Sequence, residues 1–317
     1  MHQSLRTAFP DIPWQEHFPL GALSTIRLGG HVALYAPIDD EDVLCRVVQF
    51  CFSHNLPYRV VGGLSNLIVP DKTYSGVVLH NKTARHQLIN AQKGLISFSS
   101  GYSLAALVNR CFRYHLGEGL ESFMSLPGTL GGAIFNNAHF GSSLIGDFIH
   151  SVRVYQPADS QTVDLTPSSL NFAYEHSIFQ EHPDWVILGA TFQLSPVDPA
   201  LAKKKAQEVL AWRQEKQPLN FPSAGSFFQN VPNNDILRAR FPQFADQKYV
   251  STAFLIDQAG LRGHRLGNIQ ISPQHAGFIV NLGSGTYADL MSLVHLVKNT
   301  LTREFSVSPP EEVFYLI

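Results

Sequence analysis

Residues 117–141, GEGLESFMSLPGTLGGAIFNNAHFG, constrain the fold more than any other stretch of the chain. Gly117, Gly119, Gly128, Gly131 and Gly132 lie among small or amide-bearing residues, Thr129, Ala133, Asn136 and Asn137. Without a Cβ, the backbone can turn through positive φ and bring its N–H groups close to a ligand. Successive free N–H groups at such turns form concavities that hold anions, phosphates above all. The same glycines would also serve a tight turn between a helix and a strand. The spacing is neither G-x-G-x-x-G nor G-x-x-x-x-G-K-[ST], so neither the doubly wound dinucleotide signature nor a P-loop is supported.

With 317 residues, 44% of them hydrophobic and 15% charged, the chain has room for two domains around sizeable cores. A formal net charge of −2 gives no broad basic field, and nucleic acid is not expected as a partner. A small anionic ligand would rely on local cations and backbone amides instead. Cys45, Cys51 and Cys111 form no CxxC pair and no even framework. They fit a reducing compartment and read as small buried hydrophobes. The first residues, MHQSLRTAFPDIPWQEHFP, contain no apolar signal core. No window approaches the roughly 18 apolar residues of a spanning helix. A cytoplasmic protein without a membrane partner is the expectation. His150, His176 and His182 fall in extended or loop sequence, no HExxH appears, and no metal is expected.

The pattern alternates strands and helices. HVALYAPI (31–38) and YRVVGGLSNLIV (58–69) read as strands, with a helix between them carrying Val43, Val47, Phe50 and Cys51 after a cap at Asp39 or Asp40. SGVVLHNK (75–82) and residues 88–101 add strands. Ser103 caps a helix bearing Leu104, Leu107, Val108 and Cys111, with Gly117 as its stop. HSVRVYQ (150–156) and DWVILGATFQLS (184–195) are strand-like. Asp198-Pro199 opens a helix through Lys216, with Lys203, Lys204 and Lys205 on a solvent face. Further on come a helix at 251–259, strands near 268–271 and 277–281, and a long final helix. For that helix Thr286 and Asp289 form a capping box, and Leu290, Leu293, Val294, Val297 and Leu301 line its buried face.

Three loops supply candidate site groups: Gly62–Asn66, Pro127–Asn137 and Ser223–Asn230. The two glycine-rich loops would cradle a diphosphate, with Ser65 and Asn66 adding side-chain hydrogen bonds. Ser226 sits between Gly225 and two phenylalanines, but outside any G-x-S-x-G elbow. It reads either as a positioned proton donor, screened by Phe227 and Phe228, or as a turn serine bonding its own backbone. Glu311 and Glu312 precede the apolar run VFYLI, where a carboxylate is costly unless paired or functional. An exposed strand end is the other reading.

Taken together, GGLSN, LPGTLGGAIFNNA, Y-x-x-S-x-F at Tyr174–Phe179, PSAGSFF and the terminal E-E-V resemble the UDP-N-acetylenolpyruvoylglucosamine reductase (MurB) family. STIRLGG (24–30), GLRGHRLG (260–267) and HAGFIVN (275–281) extend the resemblance over nearly the whole chain, in the family's order. It implies an α+β protein: a two-subdomain FAD-binding fold like that of vanillyl-alcohol oxidase, then a smaller α/β substrate-binding domain. The implied division is an N-terminal extension to residue 20, an FAD-binding domain over 21–196 split near 80, and a substrate domain over 197–317. The resemblance implies FAD held by Gly62, Gly63, Ser65, Asn66, Pro127, Gly128, Thr129, Gly131, Gly132 and Asn137, with NADPH as hydride donor. It matches Ser226 to the proton donor and Glu312 to the carboxylate assisting enol formation. Arg213, Gln229 and Asn230 match contacts to a UDP-sugar, and a monomer of the shorter type is implied.

Several positions depart from the pattern. Glu175 stands where the family has the arginine that polarises the substrate carboxylate, a reversal of two charge units. Leu64, Ser125 and His139 replace glycines, and Phe314 replaces a basic residue. An anion facing an anionic substrate would oppose catalysis, so His176, Arg153, Arg262 and His264 are the candidate replacement cations. A weak paralogue that binds flavin or a nucleotide-sugar, and a flavoprotein for another enolpyruvyl substrate, are the alternatives.

Overall fold

The computed structural model describes residues 2–141 and 143–317. Its contacts gather the chain into two units. The first takes the chain up to Phe18, then Val32–Gly63 and Ser75–Ala211; the second takes Pro19–His31, Leu64–Tyr74 and Trp212–Ile317. This differs from a linear cut at 196. The N-terminal stretch is also no mere extension. Its helix His2–Ala8 buries Leu5, and its strand Gln15–Phe18 pairs antiparallel with Val32–Ile38, stacking Phe18 on Tyr35 at 3.9 Å.

In the first unit, one sheet has the strand order Gln15–Phe18, Val32–Ile38, Tyr74–Asn81, Tyr58–Val61. The helix Glu41–Ser53 connects its second and fourth strands. Asp40, of the two expected candidates, is the cap: its side chain accepts from the N–H groups of Asp42 and Val43, a bond worth about 1 kcal/mol. The buried face is Leu44, Val47, Val48 and Cys51, so the helix is rotated from the expected stripe, and Val43 and Phe50 sit at its margin. Burial pushes the Cys51 thiol up to about 12, consistent with a small hydrophobe.

The other sheet of this unit is antiparallel, in the order Gln161–Leu165, Ile149–Gln156, Val186–Gln193, Leu95–Ser99, His86–Asn90. Alternate residues Val152, Val154, Ala190, Phe192, Ile96 and Phe98 enter one core. The helix Leu104–Arg113 covers that core with Leu104, Leu107, Val108, Cys111 and Phe112, and Ser103 Oγ accepts from Ala106 N–H as its cap. The helix ends before Gly117, which turns the chain further on at φ 104°.

The second unit is built on a four-stranded sheet, in the order Ser223–Ser226, Phe278–Asn281, Ile269–Ile271, Arg265–Leu266. The helix Tyr287–Phe305 packs on it. Asp289 N–H donates to Thr286 Oγ1 at 3.0 Å and Thr286 N–H to Asp289 Oδ2 at 3.3 Å, completing the capping box. Leu290, Leu293, Val294, Val297 and Leu301 are all buried, as the periodicity requires. The expected strand 58–69 is two strands. Tyr58–Val61 lies in the first unit, whereas Leu67–Ile68 runs parallel to Phe314–Tyr315 in the second.

His80 closes the apolar strand Tyr74–Asn81 as a buried polar residue, 5% exposed. Its Nδ1 lies 2.8 Å from the Tyr35 hydroxyl, and it also hydrogen-bonds the Gly62 backbone. Burial, with the Lys82 charge second, pushes its pKa down to about 4 despite that backbone bond. An unfolded histidine titrates near 6.5, so between these values the unfolded chain takes up a proton that the native protein refuses. Native stability therefore falls as pH drops through that window and levels off below it. From pH 7 to pH 5 the expected loss from this group is about 2 kcal/mol. Urea unfolding at both pH values measures it, and His80→Asn should lose that much less over the same interval. Equal losses would mean that His80 is charged in the native state.

Candidate functional site

The glycine-rich loops of the first unit meet backbone to backbone. A Cβ on Gly62 would lie 2.1 Å from Thr129 Oγ1, and one on Gly63 would lie 2.6 Å from Gly128 Cα. At Gly63 the neighbour is backbone and no side chain fits, whereas at Gly62 an added Cβ would press on the Thr129 hydroxyl. Gly128 itself has φ 120°. Beyond it, the short helix Leu130–Phe135 starts at Thr129. The first two amides of that helix are taken by protein: Leu130 N–H by Tyr102 C=O at 2.9 Å, and Gly131 N–H by Ser100 C=O at 2.7 Å. Ser100 is fixed in turn by Asn81 Nδ2, at 2.7 Å from its Oγ, while Asn81 Oδ1 accepts from Thr83.

Thr129 Oγ1 is different. It is buried and no group among the described residues hydrogen-bonds it. A buried hydroxyl left in this state between the Gly62 and Gly132 backbones is suited to a bound acceptor such as a phosphate oxygen. Gly132 is open, its nearest neighbour to an added Cβ being Thr129 Oγ1 at 3.9 Å. Pro127 lies exposed on the rim. The cradle thus fits a diphosphate-bearing cofactor. Its supporting residues His80, Asn81, Thr83 and Ser100 were not among the expected site groups. Their only sequence signal is a polar cluster ending the apolar strand SGVVL.

Two expected cradle residues are engaged elsewhere. Asn137, 1% exposed, accepts from Gly146 N–H at 3.1 Å and donates to Ala173 C=O at 2.8 Å. It anchors the turn Ala173–His176, whose end residues exchange backbone hydrogen bonds of 3.1 and 3.2 Å. Glu175 is in that turn, buried, with a left-handed backbone at φ 53°. Gln180 Nε2 donates to Glu175 C=O at 3.0 Å and to Phe135 C=O at 3.2 Å, and Ser177 Oγ donates to Phe135 C=O at 2.6 Å. These bonds hold the turn against the end of the short helix. Three of the four candidate replacement cations have carboxylate partners: His176 with Glu181 at 3.1 Å, Arg153 with Glu41, and Arg262 with Asp257. His139 packs its ring 4.9 Å from Tyr174, and burial lowers its pKa.

In the second unit, the strand carrying Ser226 is kinked at Gly225, φ 84°, between its pairings Ser223–Val280 and Ser226–Phe278. A Cβ there would meet nothing within 4 Å, so this glycine serves the backbone angle and not space. Phe227 and Phe228, both buried, follow Ser226. Phe227 N–H donates to Gly277 C=O and Phe227 C=O accepts from Glu312 N–H, each at 2.9 Å. Gln229 N–H reaches Pro310 C=O at 3.0 Å. Ser226 and Glu312 therefore lie on neighbouring, cross-bonded segments. The two glutamates separate cleanly: Glu311 hydrogen-bonds Lys298 Nζ and the Tyr315 hydroxyl, and burial and this carboxylate push the Tyr315 pKa well above the usual range.

Asn66, expected to help hold a cofactor, donates from Nδ2 to Glu312 C=O at 3.0 Å and accepts Phe314 N–H on its own C=O at 3.0 Å. Ser65 C=O accepts from Thr25 Oγ1 at 3.1 Å. Leu64 keeps a left-handed backbone, φ 54°, which is why a glycine suits this position. Arg213 is 6% exposed, its Nε donating to Gln217 Oε1 at 2.7 Å, and desolvation lowers its pKa. Gln229 C=O and Asn230 Oδ1 accept from Thr252 Oγ1 and N–H, at 2.5 and 3.4 Å, at the start of the helix Thr252–Gln258.

Two family models match the chain in succession: an FAD binding domain over residues 32–166, and the C-terminal domain of UDP-N-acetylenolpyruvoylglucosamine reductase over 217–316. The reductase of Nostoc is 32% identical over 296 residues, covering 93% of this chain and 83% of the relative. That of Listeria welshimeri is 32% identical over 313 residues, covering 98% and 97%. The solved reductase structure from Thermus caldophilus superposes with a TM-score of 0.75 at 25% identity, over 96% of this chain and 99% of that one. End-to-end relatives at this identity, the two matched domains and the glycine cradle agree: the chain belongs to the UDP-N-acetylenolpyruvoylglucosamine reductase family.

Proposed function

We propose that this chain is an NADPH-dependent flavoprotein that reduces UDP-N-acetylglucosamine enolpyruvate to UDP-N-acetylmuramate, a step in making peptidoglycan precursors. End-to-end similarity to reductases of that name, joined to an FAD-binding domain match, supports the reading. The observation in the structure that carries it is the cradle of Gly62, Gly63, Gly128 and Thr129, with its buried, unbonded Thr129 hydroxyl. These residues, with Gly131, Gly132, Pro127 and Ser65, are assigned to FAD. The enzyme works as a monomer in the cytoplasm on a soluble nucleotide-sugar. Among the described residues, no helix is long and apolar enough to cross a membrane.

Saturating the enolpyruvyl double bond adds a hydride to the terminal carbon and a proton to its neighbour. FAD, when bound, carries the hydride from NADPH. The protein's own residues must draw negative charge toward the substrate carboxylate and deliver the proton. Ser226 is assigned the proton, because its hydroxyl follows the Gly225 kink and precedes two buried phenylalanines that limit water. Glu312, on the segment bonded to Phe227, assists enol formation. Arg213, Gln229 and Asn230 are assigned to the nucleotide-sugar. For Arg213, its burial would strengthen any contact it makes with an anion.

The purified protein should carry non-covalent FAD. Acid precipitation is expected to release all the yellow colour, and colour kept on the pellet would contradict it. Thr129→Val should weaken FAD binding roughly tenfold, the worth of one bond to a charged group. It should leave the melting temperature of the FAD-free protein unchanged.

Ser226→Ala should leave flavin reduction by NADPH near normal while slowing reoxidation by the enolpyruvyl sugar roughly 10²-fold or more. Stopped-flow absorbance separates the two half-reactions. Equal slowing of both would move Ser226 out of the proton-donor role and into folding or cofactor binding.

Glu175→Arg restores the family's charge at the Ala173–His176 turn. Steady-state turnover is expected to rise by about 10²-fold, the usual worth of one charge-assisted contact at a developing oxyanion. An unchanged or lower rate in a protein of normal melting temperature would assign that role to another cation.

A further inference from the structure

The geometry points to Asn66 as a positioning residue that sets Glu312 through its peptide carbonyl. This rests on the assignment of Glu312 to catalysis. The peptide groups on either side of the Glu312 Cα are both gripped: N–H by Phe227 C=O at 2.9 Å, C=O by Asn66 Nδ2 at 3.0 Å. Asn66 is itself fixed by its carbonyl, which accepts Phe314 N–H at 3.0 Å, and by the parallel pairing of Leu67–Ile68 with Phe314–Tyr315. Thr25 immobilises the residues just before it, its N–H bonding Leu64 C=O at 3.3 Å and its Oγ1 bonding Ser65 C=O at 3.1 Å.

Glu311, the residue before Glu312, is engaged by Lys298 and the Tyr315 hydroxyl. With both flanking peptides clamped, the Glu312 Cα is fixed and its side chain starts from a set position. Removing the Asn66 amide leaves the Glu312 carbonyl without this donor and lets its peptide plane rotate. Reactive groups displaced by about 1 Å typically lose on the order of 10²-fold in rate. A single lost clamp on a strand still held by Phe227 is expected to give about tenfold.

The test is a double-mutant cycle on flavin reoxidation by the enolpyruvyl sugar, using FAD-loaded protein. Glu312→Gln alone should slow this half-reaction strongly. Asn66→Ala alone should slow it about tenfold, and in the Glu312→Gln background it should add almost nothing. Full multiplication of the two effects would overturn the positioning role while leaving Glu312 catalytic. A Glu312→Gln protein with unchanged reoxidation would instead overturn the assignment of Glu312, and the inference with it. Loss of FAD from Asn66→Ala would make Asn66 a cofactor ligand and also refute the inference. Independently of activity, hydrogen exchange across residues 310–316 should speed up in Asn66→Ala, and an unchanged rate would count against the clamp. Asn66→Asp, equal in size but without the amide donor, should reproduce the Ala results and stands in if Asn66→Ala does not fold.

Discussion

Two backbones approach so closely at Gly63 and Gly128 that a single methyl group would force them apart. The neighbouring architecture serves that approach. His80 bonds the backbone of Gly62 on one side. On the other side, Asn81 and Ser100 fix the carbonyl that receives Gly131 N–H. Around this approach His80, Asn81, Thr83 and Ser100 are each paired, while the buried Thr129 hydroxyl has no hydrogen-bond partner among the described residues. A site that must accept a phosphate cannot be fully satisfied by protein alone.

The second unit uses backbone bonding for a different end. Segment 310–316 threads between Phe227–Gln229 and the Asn66–Ile68 stretch, bonded on both flanks. Glu311 ties the segment to the final helix through Lys298.

Regular elements were legible because their signals are local. The capping box at Thr286 and Asp289, the Ser103 cap and the long helix stripe appear in the structure as read. Errors came where neighbours in sequence part in space. YRVVGGLSNLIV reads as one β-rich run, yet its two ends join different units, because periodicity does not name a strand's partner. The glycine loops were expected to cradle a diphosphate with Asn66 and Asn137 among its ligands, and in the structure both of these amides bond protein carbonyls. An amide side chain in such a loop looks the same whether it holds a cofactor or a peptide, and only the bonds to Glu312 and Ala173 distinguish the two. His80 gave no periodic signal at all, since a histidine ending a strand is ordinarily exposed.

The parallel pair of Leu67–Ile68 with Phe314–Tyr315 bears on how the protein is made. Its partners, Leu67 and Phe314, are far apart in the sequence, so the contact is of the kind that forms slowly. During synthesis the Leu67 stretch emerges early and must wait, its strand edge open, until residues 310–316 leave the ribosome. Until then the second unit lacks both its closing strand and Glu312. An unpaired apolar edge held open that long invites association with other nascent chains, a hazard met by chaperones in the cell and by slow dilution in refolding.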